Sequence, residues 1–170
     1  MSGKELRIRN QSGAEQSPFY IYSETMQTTM NYEQRLSPHF TLGEFLRSGT
    51  AIRHNIRNVP SAHPQDGLTN DELIANLTRL CTEVLEPLRR RVGRVTITSG
   101  YRCKELNARV GGVPKSHHLQ GLAADIYVSS TAMAERYAQL LRLYTPCDEL
   151  IIEPVGDRRK RWVHVSVKQK

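Results

Sequence analysis

The sequence is poor in cysteine, in aromatic residues and in long apolar runs. Its three cysteines, Cys81, Cys103 and Cys147, are odd in number and widely spaced. They form neither a CxxC pair nor a disulfide framework, so the chain does not depend on an oxidising compartment. No apolar stretch approaches the roughly 18 residues of a membrane span, and the N-terminus lacks the apolar core of a signal peptide. These absences predict a soluble chain made in the cytoplasm, without membrane insertion. If its substrate lies outside, lysis, a phage particle or a removed leader must deliver it. Aromatic side chains make up 6% of the residues, too few stacking platforms to favour a nucleic-acid partner. Internal repeats and low-complexity segments are missing as well.

What is present fits one domain, since 170 residues can enclose a core of their own. A net charge of +7 and a pI near 9.6 suit an anionic partner such as nucleic acid, a membrane surface or an acidic cell-wall polymer. The basic runs at 89–91 and 158–161 fall at element ends and read as solvated termini. Residues 1–37 are polar and lack a helical or strand period, apart from Phe19-Tyr20-Ile21-Tyr22. They read as a mobile tail with one edge strand, ahead of a domain spanning 38–170.

Within that domain, Thr41 and Glu44 form a capping box for a short helix, with Phe40 as a staple. Residues 49–68 hold Pro60, Pro64 and Gly67 and read as a long irregular loop of the kind that lines sites. The longest helix starts at Thr69, with Glu72 completing a second capping box. Its apolar residues recur at Leu73, Ile74, Leu77, Leu80, Cys81, Val84, Leu85 and Leu88. Pro87 should kink it or open a second segment, and Gly93 should end it. Strands are expected at 95–98, 122–128, 149–153 and 162–167, with further helices at 104–110 and 131–144. The expected fold is α+β, a small antiparallel sheet carrying the functional site with helices flanking its other face.

The stretch from Ser116 to Asp125 places a hydroxyl, two imidazoles, a glycine and a carboxylate within ten residues. Asp125 lies among apolar neighbours, where a carboxylate is costly unless a cation or hydrogen bonds compensate it. A histidine just upstream, His117 or His118, and the strand histidine His164 supply the remaining ligands. Two histidines and one carboxylate, with a fourth position left to water, is the ligand set of a catalytic zinc. Periodicity does not decide between His117 and His118. Strand parity puts Trp162, His164 and Ser166 on one face, together with Glu149, Ile151 and Glu153 of the partner strand. Glu153 then falls across from Trp162 and diagonal to His164, a separation of roughly 7 Å. From there a carboxylate can serve as general base for water attacking an amide carbonyl. Arg102, at the end of a strand, suits a substrate carboxylate or a developing oxyanion. Ser116 has the reach to hydrogen-bond the substrate.

The motif Ser116-x-His118-x-x-Gly121-x-Ala123-x-Asp125, with Trp162-Val163-His164 and Ser99-Gly100-Tyr101-Arg102, resembles the zinc D-alanyl-D-alanine carboxypeptidase family, peptidase M15. That family includes phage L-alanyl-D-glutamate endopeptidases and shares its fold with the Hedgehog signalling domain. The resemblance covers about Phe40 to Val167 and is nearest a phage-associated branch. It implies His118, Asp125 and His164 as ligands of one Zn2+, Arg102 as the substrate or transition-state arginine, and Ser116 and Tyr101 as substrate contacts. Many members carry the catalytic acid three residues before the second histidine, where this chain has Arg161. The base is therefore expected at Glu153, with Asp148 and Asp157 as lesser candidates. The implied partner is a peptidoglycan stem peptide, bound by a monomer. The activity would be carboxypeptidase, or else endopeptidase cleavage within the stem. Should no carboxylate face the metal, the implied alternative is a silent zinc or wall-binding module.

Overall fold

A computed structural model describes residues 30–169. The edge strand expected at 19–22 lies outside the described residues. Residues 30–37, expected in the tail, pack onto the domain: Leu36 is buried, and the Tyr32 carbonyl accepts from Gly43 N at 2.8 Å. Helix α1 (Leu42–Leu46) follows Thr41, whose backbone N–H donates to Glu44 Oε2 at 2.7 Å. The expected loop at 49–68 is more ordered than its prolines suggest. It opens with helix α2 (Gly49–Arg53), capped by Ser48 Oγ on Ala51 N, and continues through 3-10 turns at Pro60–Ala62 and Pro64–Asp66. Local serine capping outweighs the breakers here.

The long helix is continuous. Helix α3 (Asn70–Leu80) passes through a π-helical turn (Cys81–Leu85) into α4 (Glu86–Val92). Pro87 lacks an N–H and its ring crowds the carbonyl four residues back; the wider turn just before it accommodates both demands without breaking the rod. Leu73, Leu77, Leu80, Cys81, Val84, Leu85 and Leu88 are all buried along one side. Each such leucine contributes about 1.5–3 kcal/mol on transfer from water, which makes this helix the main wall of the core.

Four strands form one antiparallel sheet in the order β1-β2-β4-β3: β1 (Ile97–Ser99), β2 (Ala123–Tyr127), β3 (Leu150–Glu153) and β4 (Trp162–Ser166). Ala124, Ile126, Val163 and Val165 are fully buried on the face turned to the core. Helix α5 (Lys104–Arg109) follows β1, and α6 (Thr131–Tyr144), joining β2 to β3, packs on α4 and on β3 and β4. The architecture is α+β, with the helices gathered behind the sheet. Alternation along β2 and β4 leaves Asp125 and His164 on the opposite, open face.

Candidate metal centre

Strand register brings the first two side chains together. Asp125 in the middle of β2 stands directly opposite His164 of β4 and is also paired with Ser99 of β1. The third comes from a single 3-10 turn, His117–Gln120, capped by Ser116 Oγ accepting from His118 N at 3.3 Å. Gly121 ends that turn at φ 68°, ψ 24°, and a Cβ there would stand 2.4 Å from Leu73 Cδ1. Only glycine meets both conditions. The chain then folds straight back into β2, with Leu122 N bonded to His117 O at 3.0 Å. A seven-residue separation thus becomes a side-by-side pair.

Three ligand atoms converge on the open face. His118 Nε2 lies 3.2 Å from Asp125 Oδ1, Asp125 Oδ1 lies 2.9 Å from His164 Nδ1, and the two ring nitrogens are 3.3 Å apart. Donors about 2.0–2.1 Å from one tetrahedral ion stand roughly 3.3 Å from each other. Two edges of this triangle match that spacing, and the third, Asp125 to His164, is shorter. The remaining ring atoms fix the protons. His118 Nδ1 is 2.6 Å from the Gly100 carbonyl, a contact that only an N–H can make. His118 Nε2 therefore carries a lone pair, and it points at a carboxylate oxygen. Two acceptors facing each other in a buried place call for a shared cation.

Electrostatics agree with that protonation. Burial disfavours the imidazolium of His118 and holds it below the ordinary histidine value despite the nearby Asp125. Burial alone would raise the Asp125 carboxyl. A hydrogen bond from His164 and the charge and hydrogen bond of Arg102 outweigh it and keep the group far below the usual carboxylate range. For His164, burial is overcome by the hydrogen bond and charge of Asp125 and by Glu149, and its pKa is raised. An ionised carboxylate beside a neutral imidazole is the state a metal ion requires.

Around the triangle, Arg102 donates from Nη2 to Asp125 Oδ2 at 2.6 Å and from Nε to Ser99 Oγ at 2.9 Å. Glu149 Oε2 sits 2.9 Å from His117 Nδ1 and 3.5 Å from His164 Nε2. Behind the arginine, Asn58 is buried; its amide donates to the carbonyls of Leu46 and Tyr101 at 3.0 and 2.8 Å, and its Oδ1 accepts from Cys103 N at 2.9 Å.

A family model for peptidase M15 matches residues 38–166, more than half of the chain. This chain belongs to the peptidase M15 family. No curated protein matches it closely enough to add to that assignment. The family supports a metallopeptidase, and its matched span contains every residue of the triangle.

For this M15 chain the other expected positions divide. His118, Asp125, His164 and Arg102 are brought together. Ser116 is spent locally, on the cap of the His118 turn. Tyr101, expected to touch substrate, is instead a core side chain, 2% exposed, with its hydroxyl unbonded among the described residues. The Gly100 carbonyl and the Arg102 side chain face the centre, while the tyrosine side chain between them turns into the core. Glu153 pairs with Trp162 as parity predicts, but its Oε2 accepts from Val155 N at 2.7 Å. Asp157 Oδ1 accepts from Arg159 N in the hairpin loop. Arg161 borders a separate cavity with Tyr127 and Trp162. The sequence pattern does not single out Glu149 or Asn58. Glu149 carried a signal, being the other residue diagonal to His164; Asn58 carried none beyond lying in a loop rich in breakers.

Proposed function

We propose that the protein is a zinc metallopeptidase that hydrolyses an amide bond in peptidoglycan stem peptides. The observation that carries this reading is the triangle of His118 Nε2, Asp125 Oδ1 and His164 Nδ1 in a chain of the M15 family. Zinc held there supplies Lewis acidity and brings the pKa of water to about 7.

The chain's own residues supply the rest. Gly100 fixes the tautomer of His118, and Arg102 keeps Asp125 ionised and turned inward. Arg102 also presents its guanidinium for the carbonyl oxygen of the scissile amide, where charge develops. The proton of the attacking water passes to Glu149 Oε2, a carboxylate oxygen outside the triangle that lies 3.5 Å from His164 Nε2. His117, 2.9 Å from that oxygen, holds it in place. Glu153, on the same strand face, is the competing base; its bond to Val155 favours Glu149. Removal of a terminal D-alanine is the first expectation for the bond cleaved, and cleavage within the stem is the second. A catalytically silent module draws support from Arg161, which stands where many relatives carry the acid.

Digestion of purified muropeptides by the zinc-loaded chain, with mass analysis of the products, tests this reading. Loss of one alanine indicates the carboxypeptidase, and a split within the stem indicates the endopeptidase. Unchanged muropeptides with zinc bound indicate the silent module.

A further inference from the structure

We propose that the cavity beside Arg102 is a subsite for a free carboxylate of the substrate, with Arg53 as its anchor. This rests on the peptidase reading and extends it to the group next to the cleaved amide. The cavity measures about 320 Å³ and is bordered by α2, the end of β1 and α5. It is lined by Arg53 and Arg102 and by the hydroxyl residues Ser48, Thr50, Thr98 and Ser99, with two aliphatic side chains. No acidic residue lines it. Its volume is at the lower end of the range for small-ligand sites, enough for one small residue rather than a long segment.

The two arginines differ in what they have free. Arg102 is committed through Nε to Ser99 and through Nη2 to Asp125, and that same Nη2 is 3.3 Å from His118 Nε2. A group seated in the cavity is therefore adjacent to the metal ligands. Arg53, at the C-terminal end of α2, is exposed and makes no hydrogen bond or ion pair among the described residues. Many arginines of a basic chain are unpaired at the surface. Arg53 is distinguished by opening onto a cavity that contains the arginine of the centre and no countercharge. Its planar fork matches a carboxylate bidentately, whereas a carboxamide offers no charge to it. With Arg102 held by Asp125, a substrate carboxylate falls to Arg53, and Arg102 is left for the scissile carbonyl.

A stem peptide has such a carboxylate in two places, its C-terminus and the free carboxyl of its acidic residue. Calorimetric titration of the metal-free full chain with a synthetic stem pentapeptide, its C-terminal amide and its form amidated at the acidic residue separates the two. The wild type should bind one of the amides about tenfold more weakly or worse, and that amide identifies the source. Arg53→Ala should bind all three probes equally weakly while retaining zinc binding and its unfolding midpoint, and Arg53→Lys should recover part of the preference. In hydrolysis by the zinc-loaded chain, Arg53→Ala should act on KM more than on kcat. The proposal is overturned if the wild type binds none of the probes or all three alike, or if Arg53→Ala keeps the preference. A chain that shows the carboxylate preference yet cleaves no probe sustains the subsite and rejects the peptidase reading.

Discussion

Asp125 concentrates the chemistry of this protein in one side chain. It is 8% exposed and in contact with two imidazoles and one guanidinium. Asp125→Asn keeps the shape and removes the charge. It should weaken zinc binding by more than about a hundredfold, beyond what loss of an outer-shell partner costs, as read by chelator competition. The base assignment has its own test. Glu149→Gln should lower kcat by roughly 10²–10⁴, the range of general-base catalysis, with zinc content retained. Glu153→Gln should stay near wild type; the reverse pattern would return the role to Glu153. At this scale the sequence was legible where the spacing is local. A histidine beside Asp125 lies in one turn-strand unit with it, though spacing leaves His117 and His118 open and only the family resemblance selects His118; His164 stands on β4 by parity. Parity does not choose between Glu149 and Glu153, since both are diagonal neighbours of His164. The side-chain contacts that distinguish them, Glu149 with His117 and Glu153 with the Val155 N–H, are absent from a pattern of alternation.

Among the elements, the segment from Ser99 to Cys103 does the most for the centre while forming little regular structure. It supplies Ser99 to Arg102, the Gly100 carbonyl to His118, and Arg102 itself. Two contacts hold it from behind. Gly100 packs so closely that a Cβ would stand 2.6 Å from Phe45 Cα, and Asn58 bonds the backbone on both sides of Arg102. Asn58→Ala leaves buried backbone groups without partners and should cost about 2–3 kcal/mol. Urea unfolding should show a lower midpoint at unchanged slope. Periodicity located the helices and strands well, since Thr69, Pro87 and Gly93 each mark their positions chemically. It missed α2 and read 49–68 as irregular, because a five-residue helix carries too few turns to show a period. Within that segment the buried Asn58 amide holds the backbone around Arg102.

For the whole molecule, the N-terminal side of the domain is tied to the central helix by a buried acid. Glu86 accepts from Ser37 Oγ at 2.7 Å and His39 N at 2.9 Å, and lies 2.8 Å from His39 Nδ1. Burial would raise its pKa, but these partners prevail and lower it. A carboxyl whose folded value is depressed adds stability that is complete above its unfolded value, about 4.3, and lost as pH falls through the folded one. Unfolding free energy should therefore decline below about pH 4.5. In Glu86→Gln it should be lower at neutral pH and flatter across that acid range, by chemical denaturation at a series of pH values. Zinc should stabilise the chain as well, by about 4 kcal/mol at a thousandfold excess over Kd, and chelation should reverse this.

The central claim is that His118, Asp125 and His164 hold one metal ion between them. Its most direct test is zinc stoichiometry with absorption-edge analysis of the coordination shell, on the wild type and on the three single alanine variants. The wild-type chain should hold about one zinc, bound through two nitrogens and a carboxylate oxygen, and each variant should lose it. A wild-type chain that takes up no zinc, or a variant that keeps it after losing one of the three side chains, would contradict it.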